Sequence, residues 1–464
     1  MKRRTFINRG LWFFLGLGLS NCTPDSPSPP PTKTEGGVAD DNVLKIWWQE
    51  GFYPEETDAI RQIVAGWEAG TGNAVELTLI AQKDMISQVE QAIAADTLPD
   101  ICYSGVGDLA IFPRLAWNNQ LVDVSEVIEP LEELYDPEVL RGVRYQNNVL
   151  GDRRYYGVPI MQSGIHIHYW NSLLIESGQS PEAVTDITNN WENFWSFWET
   201  AQPALQKRVG PEIYSIGMPM SKSLDTYNNF EQFLEAYDVE ILNEQGDLQL
   251  DQPAIRTGIE AALKDYARFY LGGYVPPDAI DWDNTGNNVS LLSRKSLMTV
   301  NHTLSVPGSQ RQDEDVYYDQ LATVPWPKKP NGQPMRHIVE LKQVVIFATS
   351  QRQKVAKAFL AYLAQPENLQ AYTQGAQARY LPVMPQLLED PFWQDPRNSH
   401  IQVALQQLQN TRPAFQVFNP AYGEVAAQNV WGGVIRAIAT GELSIEAATT
   451  RAITEIKAIF AAWK

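Results

Sequence analysis

At 464 residues the chain has ample length for two large lobes, and 55 acidic against 36 basic residues leave it a net charge of −19. That balance argues against a nucleic-acid partner and against adsorption to anionic lipid, and says nothing of a neutral ligand. With two cysteines and five histidines, neither a disulfide framework nor a structural zinc site is expected.

Residues 1–21 read as an export signal. Arg3-Arg4-Thr5-Phe6-Ile7 and Arg9 form a basic opening, and Leu11 to Leu19 is a short apolar run. A bilayer-spanning helix needs about 20 apolar residues, so this run is not a permanent anchor. The arginine pair resembles a twin-arginine signal. Leu19-Ser20-Asn21-Cys22 resembles a lipobox, with Asn21 where a smaller residue is usual, and Cys22 is the expected lipidation site. Loss of Lys2, Arg3, Arg4 and Arg9 would take the net charge from −19 to about −23. The expected location is the cell envelope, periplasmic or on the outer face of the cytoplasmic membrane, with the chain tied to the membrane by its lipid. Residues 22–41 carry Pro24, Pro27, Pro29, Pro30, Pro31 and Gly36-Gly37, the composition of an extended tether.

Folding begins at Val43. Val43 to Trp48 has β character. A helix then opens at Pro54 and runs to Gly70-Thr71-Gly72, with Ile60, Ile63, Val64 and Trp67 on one face. Ala74 to Ile80 alternates as a second strand, Met85 to Ala95 reads as a second helix, and Leu98 to Tyr103 as a third strand. This alternation predicts an α/β fold with a parallel sheet, whose ligands sit beyond the carboxyl ends of the strands. Two loops are nominated: Gln49-Glu50-Gly51-Phe52, and Ser104-Gly105-Val106-Gly107-Asp108.

The ordered phrases Trp67-Glu68-Ala69-Gly70-Thr71-Gly72, Leu98-Pro99-Asp100-Ile101, Leu121-Val122-Asp123-Val124, Tyr156-Gly157-Val158-Pro159-Ile160, Tyr169-Trp170-Asn171, Trp191-Glu192-Asn193-Phe194, Val355 to Leu363, Leu381-Pro382-Val383 and Gly441 to Ala448 run through most of the chain. Together they resemble the family 1 extracellular solute-binding proteins, the maltose-binding-protein-like receptors of ABC importers. Many members place glycines before the late strand; here that stretch is His337-Ile338-Val339-Glu340-Leu341. The resemblance implies a two-lobed periplasmic-binding-protein-like fold (type II) with hinge crossovers near Gln162, Met335 and Val383. The N-lobe would take 42–161 and 336–382, and the C-lobe 163–334 and 384–464.

The same resemblance, with the strand-end rule, nominates ligand contacts. Trp48 and Glu50 follow the first strand, and Ser104 and Asp108 the third. Gln162 lies at the first crossover. Trp282 and Asp283 stand where the family often carries a cleft tryptophan and acid. Asn301 and His302 end a late strand, Arg379 precedes Leu381-Pro382-Val383, and Tyr422 and Trp431 flank a helix start. Aromatic rings could stack on a pyranose while carboxylates and amides bind its hydroxyls.

Other features read as packing. Trp191, Phe194, Trp195 and Trp198 share a helical face, a core pattern. His166 and His168 share a strand face without a third metal ligand, so no metal is expected. There is no Gly-x-Ser-x-Gly elbow, P-loop or His-Glu-x-x-His. The expectation is a monomeric substrate-binding lipoprotein, without cofactor or catalysis, that delivers a carbohydrate to an ABC permease. The alternatives are a same-fold receptor for a non-sugar solute and, more distantly, a lipid-anchored glycan hydrolase.

Overall fold

A computed structural model describes residues 43–463. The signal, the tether and Cys22 lie outside the described residues.

The chain opens with β1 (Val43–Gln49), a helix over Pro54–Thr71, β2 (Ala74–Ile80), a helix over Gln82–Ala95, and β3 (Ile101–Ser104). β1 pairs in parallel with both β2 and β3. The first helix starts on Pro54, whose missing N–H costs nothing there, and stops at Gly72, which takes the left-handed conformation at φ 72°. Its Ile60, Ile63, Val64 and Trp67 are buried, as their spacing predicts. The second helix begins three residues before the sequence pattern suggests, because polar Gln82, Lys83 and Asp84 fill its first turn without belonging to its apolar face. The third strand begins at Ile101 rather than Leu98. Pro99 has no N–H to pair, and Asp100 spends its carboxylate on the Lys45 backbone N–H at 2.9 Å.

A hairpin of β4 (Arg144–Asn147) and β5 (Asp152–Tyr155) is followed by β6 (Val158–Ser163) and β7 (His166–Trp170). Then come β8 (Tyr214–Gly217), β9 (Ser296–Asn301), β10 (Leu321–Val324), the ten-residue β11 (His337–Ile346) and β12 (Thr411–Pro413). They form two main sheets. One has the order β12-β11-β3-β1-β2, with β6 also on β11; the other runs β10-β7-β9-β8. The chain passes from the first sheet to the second across Gly164-Ile165, and returns between Val324 and His337. Segment 384–464 is not confined to the second sheet's side, because β12 joins the first sheet by pairing in parallel with His337–Val339 of β11.

Each sheet has its own hydrophobic core. Around the second sheet Trp191, Phe194, Trp195 and Trp198 are buried with Phe233, Tyr266 and Phe269. Around the first, Ile46, Trp48 and Tyr103 pack with Phe359 and Leu360 on one face, and Cys102, Phe112 and Phe347 lie on the other. Cys102 is a buried free thiol, pushed up to about 12 by that burial. Among the described residues no helix is long and apolar enough to cross a membrane, and no cluster of histidine, cysteine and carboxylate could hold a metal ion. Instead His166 and His168 point at side chains: Gln407 for the first, and the Thr323 hydroxyl at 2.8 Å for the second.

Candidate ligand-binding cleft

A cleft of about 600 Å³ opens between the two sheets. On the first sheet's side it is walled by Phe52 after β1, Gly105 and Val106 after β3, Glu340 and Lys342 of β11, and Arg379-Tyr380. On the second sheet's side the wall is Asn301, His302 and Thr303 after β9, with Lys222, Asp225, Asn228 and the Asn284–Asn288 turn.

Local structure fixes these groups. The loop after β1 is tied to the following helix. The Phe52 N–H donates to Glu56 at 3.0 Å and the Gly51 N–H to the Thr57 hydroxyl at 3.0 Å. This leaves the Phe52 ring 51% exposed in the cleft wall. After β3, the Gly105 N–H donates to the Gln49 side chain at 2.8 Å, and its carbonyl accepts from Lys342 Nζ at 2.7 Å. A Cβ at Gly105 would stand 2.8 Å from the Gln49 amide, so a larger residue would push this contact apart. Glu340 and Lys342 are two apart on β11, and successive side chains of a strand alternate, so both reach the same face.

The charges form one buried group. His302 Nε2 is 2.7 Å from Glu340 Oε1, and Lys342 Nζ is 3.1 Å from Glu340 Oε2. Burial opposes ionisation of Glu340, yet His302 and Lys342 outweigh it and hold its carboxyl well below the usual range. Burial pushes Asp108 the other way, against the pull of Lys342, with the Glu340 charge adding to the push. Lys342 is held well above its ordinary value, because Asp108 and Glu340 overcome its own burial. Across the cleft, burial raises Asp225 to about 7 against a hydrogen bond from Asn287. Several polar atoms have no partner among the described residues: Arg379 Nε, Asn288 Oδ1 and Asp108 Oδ1. Buried polar atoms are normally paired, so these are open to a bound molecule or water.

Of the residues singled out in the sequence, Asn301, His302 and Arg379 stand in the cleft wall. Asn301 is held by bonds from its amide to the Thr303 carbonyl at 2.7 Å and the Ser305 hydroxyl at 3.1 Å. Asp108 lies behind the wall, in the charge group just described, and Ser104 is buried beside Gly105. Gln162 stitches the crossover, donating to the Pro382 carbonyl at 2.6 Å. The remaining six face elsewhere. Trp48 is wholly buried against Tyr103 and Tyr372, its indole N–H donating to Tyr372 Oη at 2.8 Å. The ring belongs to the core because β1 is an interior strand, flanked by β2 and β3 and covered on both faces. Glu50 is exposed and outside the cleft lining. Asp283 caps a turn, accepting from the Thr285 N–H at 2.8 Å, and Trp282 packs over Gly286 against the second core; the turn they start carries Asn284 and Thr285 into the cleft. Tyr422 and Trp431 are buried together, the indole donating to Tyr422 Oη at 3.1 Å while that hydroxyl donates to Glu231.

Phe52 ends the first nominated loop, while Asp225, Asn228, Glu340 and Lys342 were not singled out. The β11 pair carried a readable signal, two opposite charges at alternate positions of a largely apolar strand. Asp225 and Asn228, three apart on the Leu224–Ala236 helix, share a face with no comparable mark.

Solved structures of the same fold are numerous. A solute-binding protein of Thermotoga lettingae, bound with α-D-tagatose, matches with TM-score 0.72 and 17% identity over 90% of this chain and 99% of that one. A sugar transporter protein from Arthrobacter chlorophenolicus, with bound laminaribiose, matches at 0.70 and 15% identity over 90% and 99%. The sugar-binding protein MalE from Xanthomonas citri matches at 0.66 and 20% identity over 91% and 98%. These likenesses establish a two-lobed α/β fold. No curated protein matches the chain by sequence. The sequence profile that does match, over residues 62–400, is that of the bacterial extracellular solute-binding proteins, and the chain belongs to that family.

Proposed function

We propose that this protein is a carbohydrate receptor of an ABC importer. It captures a small glycoside or oligosaccharide between its lobes and passes it to permease subunits. The lobes are those drawn from the sequence, 42–161 with 336–382 and 163–334 with 384–464, apart from the β12 edge. Cys22 carries the lipid that holds a monomeric receptor at the membrane, with residues 22–41 as the tether. No chemistry is performed on the ligand. Contacts made only when both walls meet the same molecule favour the closed form, which is the form a permease reads.

One observation carries this reading: a cleft of about 600 Å³ between two sheets, lined by amides and charges with unpartnered atoms and by the half-exposed Phe52 ring. Sugars present this combination, with hydroxyls for the polar groups and an apolar C–H face for a ring. The sugar ligands of tagatose- and laminaribiose-bound structures of the same fold support it. A thermal-shift screen across mono- and oligosaccharides should give a clear stabilisation with at least one. No shift with any sugar would overturn the carbohydrate assignment, and turnover of an oligosaccharide by the purified protein would overturn the binding-only claim.

A further inference from the structure

Arg379 is the least satisfied charge in the cleft. It lines the wall yet is only 7% exposed. Its guanidinium lies between two rings, 4.5 Å from the Phe52 centroid and 4.6 Å from that of Tyr380. Its Nε has no hydrogen-bond partner. Its nearest carboxylate, Glu56, is 3.9 Å from Nη1, beyond hydrogen-bond reach. Glu56 is committed elsewhere, accepting from the Phe52 N–H at 3.0 Å and from Tyr372 Oη at 3.4 Å. Burial also pushes the Glu56 carboxyl upward, towards the uncharged form. A guanidinium taken out of water and left without acceptors is costly, and two oxygens of one anion match its planar fork.

The rest of the lining leans the same way. Lys83 and Lys222 stand at the exposed edge and Lys342 lies deep, while among the described residues the lining carboxylates are Asp225 and Glu340. Glu340 is consumed by His302 and Lys342. A chain of net charge −19 repels anions as a whole, so a locally cationic cleft runs against its general composition.

We propose that the ligand is an anionic sugar, bearing a carboxylate or a phosphate, and that Arg379 receives the charged group while Phe52 and Tyr380 wall the ring beside it. This rests on the carbohydrate reading and narrows it.

The test is calorimetry on the full purified chain with matched probes: glucose, glucuronate and glucose 6-phosphate; galactose and galacturonate; galactobiose and digalacturonate of the same linkage; and inorganic phosphate alone. An acidic sugar should bind at least tenfold more tightly than its neutral counterpart. That preference should weaken with added salt and should disappear in Arg379→Gln. Carboxylate or phosphate is told by which acidic probe wins. Neutral sugars binding as tightly as acidic ones would overturn this proposal and leave the carbohydrate reading standing. Inorganic phosphate binding as tightly as any sugar acid would do the reverse, keeping an anion site and removing the sugar. If no probe binds, both fall. Should Arg379→Gln not fold, Arg379→Lys and the salt dependence of the native chain decide the matter, since a neutral-sugar site would show neither an acid preference nor salt sensitivity.

Discussion

His302 Nε2 and Glu340 Oε1 meet at 2.7 Å, joining the end of β9 in one sheet to the middle of β11 in the other. The contact sits on the cleft wall and shares its carboxylate with Lys342. Asp108 is a second acid near the same lysine, raised by burial to about 7 and so only partly ionised near neutral pH. Replacing Glu340 by Gln should therefore cost less than a broken buried ion pair usually does, about 1–2 kcal/mol rather than 3–5, because Asp108, relieved of the Glu340 charge, then ionises more fully and takes over Lys342. Asp108→Asn alone should cost under about 1 kcal/mol. The double variant should lose more than the two single losses added together. Urea denaturation of the four proteins checks this, and simple additivity would remove the exchange between the two acids.

Trp48→Phe should destabilise the protein by about 1–2 kcal/mol while leaving ligand affinity unchanged. The indole fills the first core and satisfies Tyr372 Oη, and no part of it lines the cleft. Urea melts and calorimetry on the same variant separate the two effects. A tenfold loss of affinity with an intact melt would return Trp48 to the binding site.

Trp48 also marks where sequence reading stops. The strand, helix, strand, helix, strand opening was legible because each element writes its own period and its own stop, such as Pro54 and Gly72. The aromatic face of the Trp191 helix was legible as core for the same reason. Whether Trp48 faces a ligand was not, because alternation separates the two faces of a strand without saying whether one is open. β1, an interior strand, is covered on both. The cleft residues Asn301, His302 and Arg379 were reachable because strand ends and a known phrase locate them. Glu340 and Lys342 were missed because they matter only through partners brought from β9 and from the loop after β3. Trp282 failed in another way: its turn does reach the cleft, but the large ring packs inward and the small Asn284 and Thr285 face out.

Arg311 Nη2 lies 2.9 and 3.1 Å from the two oxygens of Glu55, with its guanidinium 4.2 Å from the Tyr53 ring centroid. The contact ties the segment after β9, on the second sheet's side, to the first helix, on the first sheet's side. Glu55 is 44% exposed at its side chain, so water screens the pair and its contribution is below about 1 kcal/mol. Arg311→Ala should weaken ligand binding about two- to fivefold, with a smaller difference from the native protein at high salt. Calorimetry at two salt concentrations reads this directly. An unchanged affinity at low salt would mean the contact does not favour closure.

Buried histidines should make the protein sensitive to acid. His400 lies between the Thr323 hydroxyl at 2.6 Å and the Tyr317 carbonyl at 2.8 Å, with the His168 ring 6.4 Å away. Burial pushes His400 down to about 4. The unfolded chain takes up that proton below about pH 6.5 and the folded one does not, so folding loses stability as the pH falls from there to about 4. Each tenfold loss of proton affinity is worth about 1.4 kcal/mol, so this group accounts for about 3 kcal/mol. The stability difference between the native chain and His400→Gln should therefore shrink by about that amount between pH 7 and pH 4. The lost hydrogen bonds are a constant offset and drop out of the comparison. A difference independent of pH would show that folding leaves the proton affinity of His400 unchanged.

The strongest prediction concerns Glu235, a single buried carboxylate that collects three cations where the chain crosses between the sheets. Lys329 Nζ is 2.6 Å away, Arg336 Nε 2.8 Å and Arg412 Nε 2.7 Å. Lys329 and Arg336 belong to the stretch between β10 and β11, and Arg412 to β12, so this one side chain holds the return crossover against both. Burial alone would raise Glu235, but Arg412 first, and then Arg336 and Lys329, hold it down at about 2. Its contribution is thus complete above about pH 4.5 and is lost as the pH falls through about 2. Glu235→Gln leaves two well-buried cations and a half-buried one around a neutral amide, and should cost about 3–5 kcal/mol at pH 7. Glu240→Gln, which removes only the exposed partner of Arg336, should cost less than about 1 kcal/mol. In urea melts the gap between the native chain and Glu235→Gln should be wide at pH 7 and narrow towards pH 2. An equal gap at both would mean the carboxylate is held by packing rather than by charge.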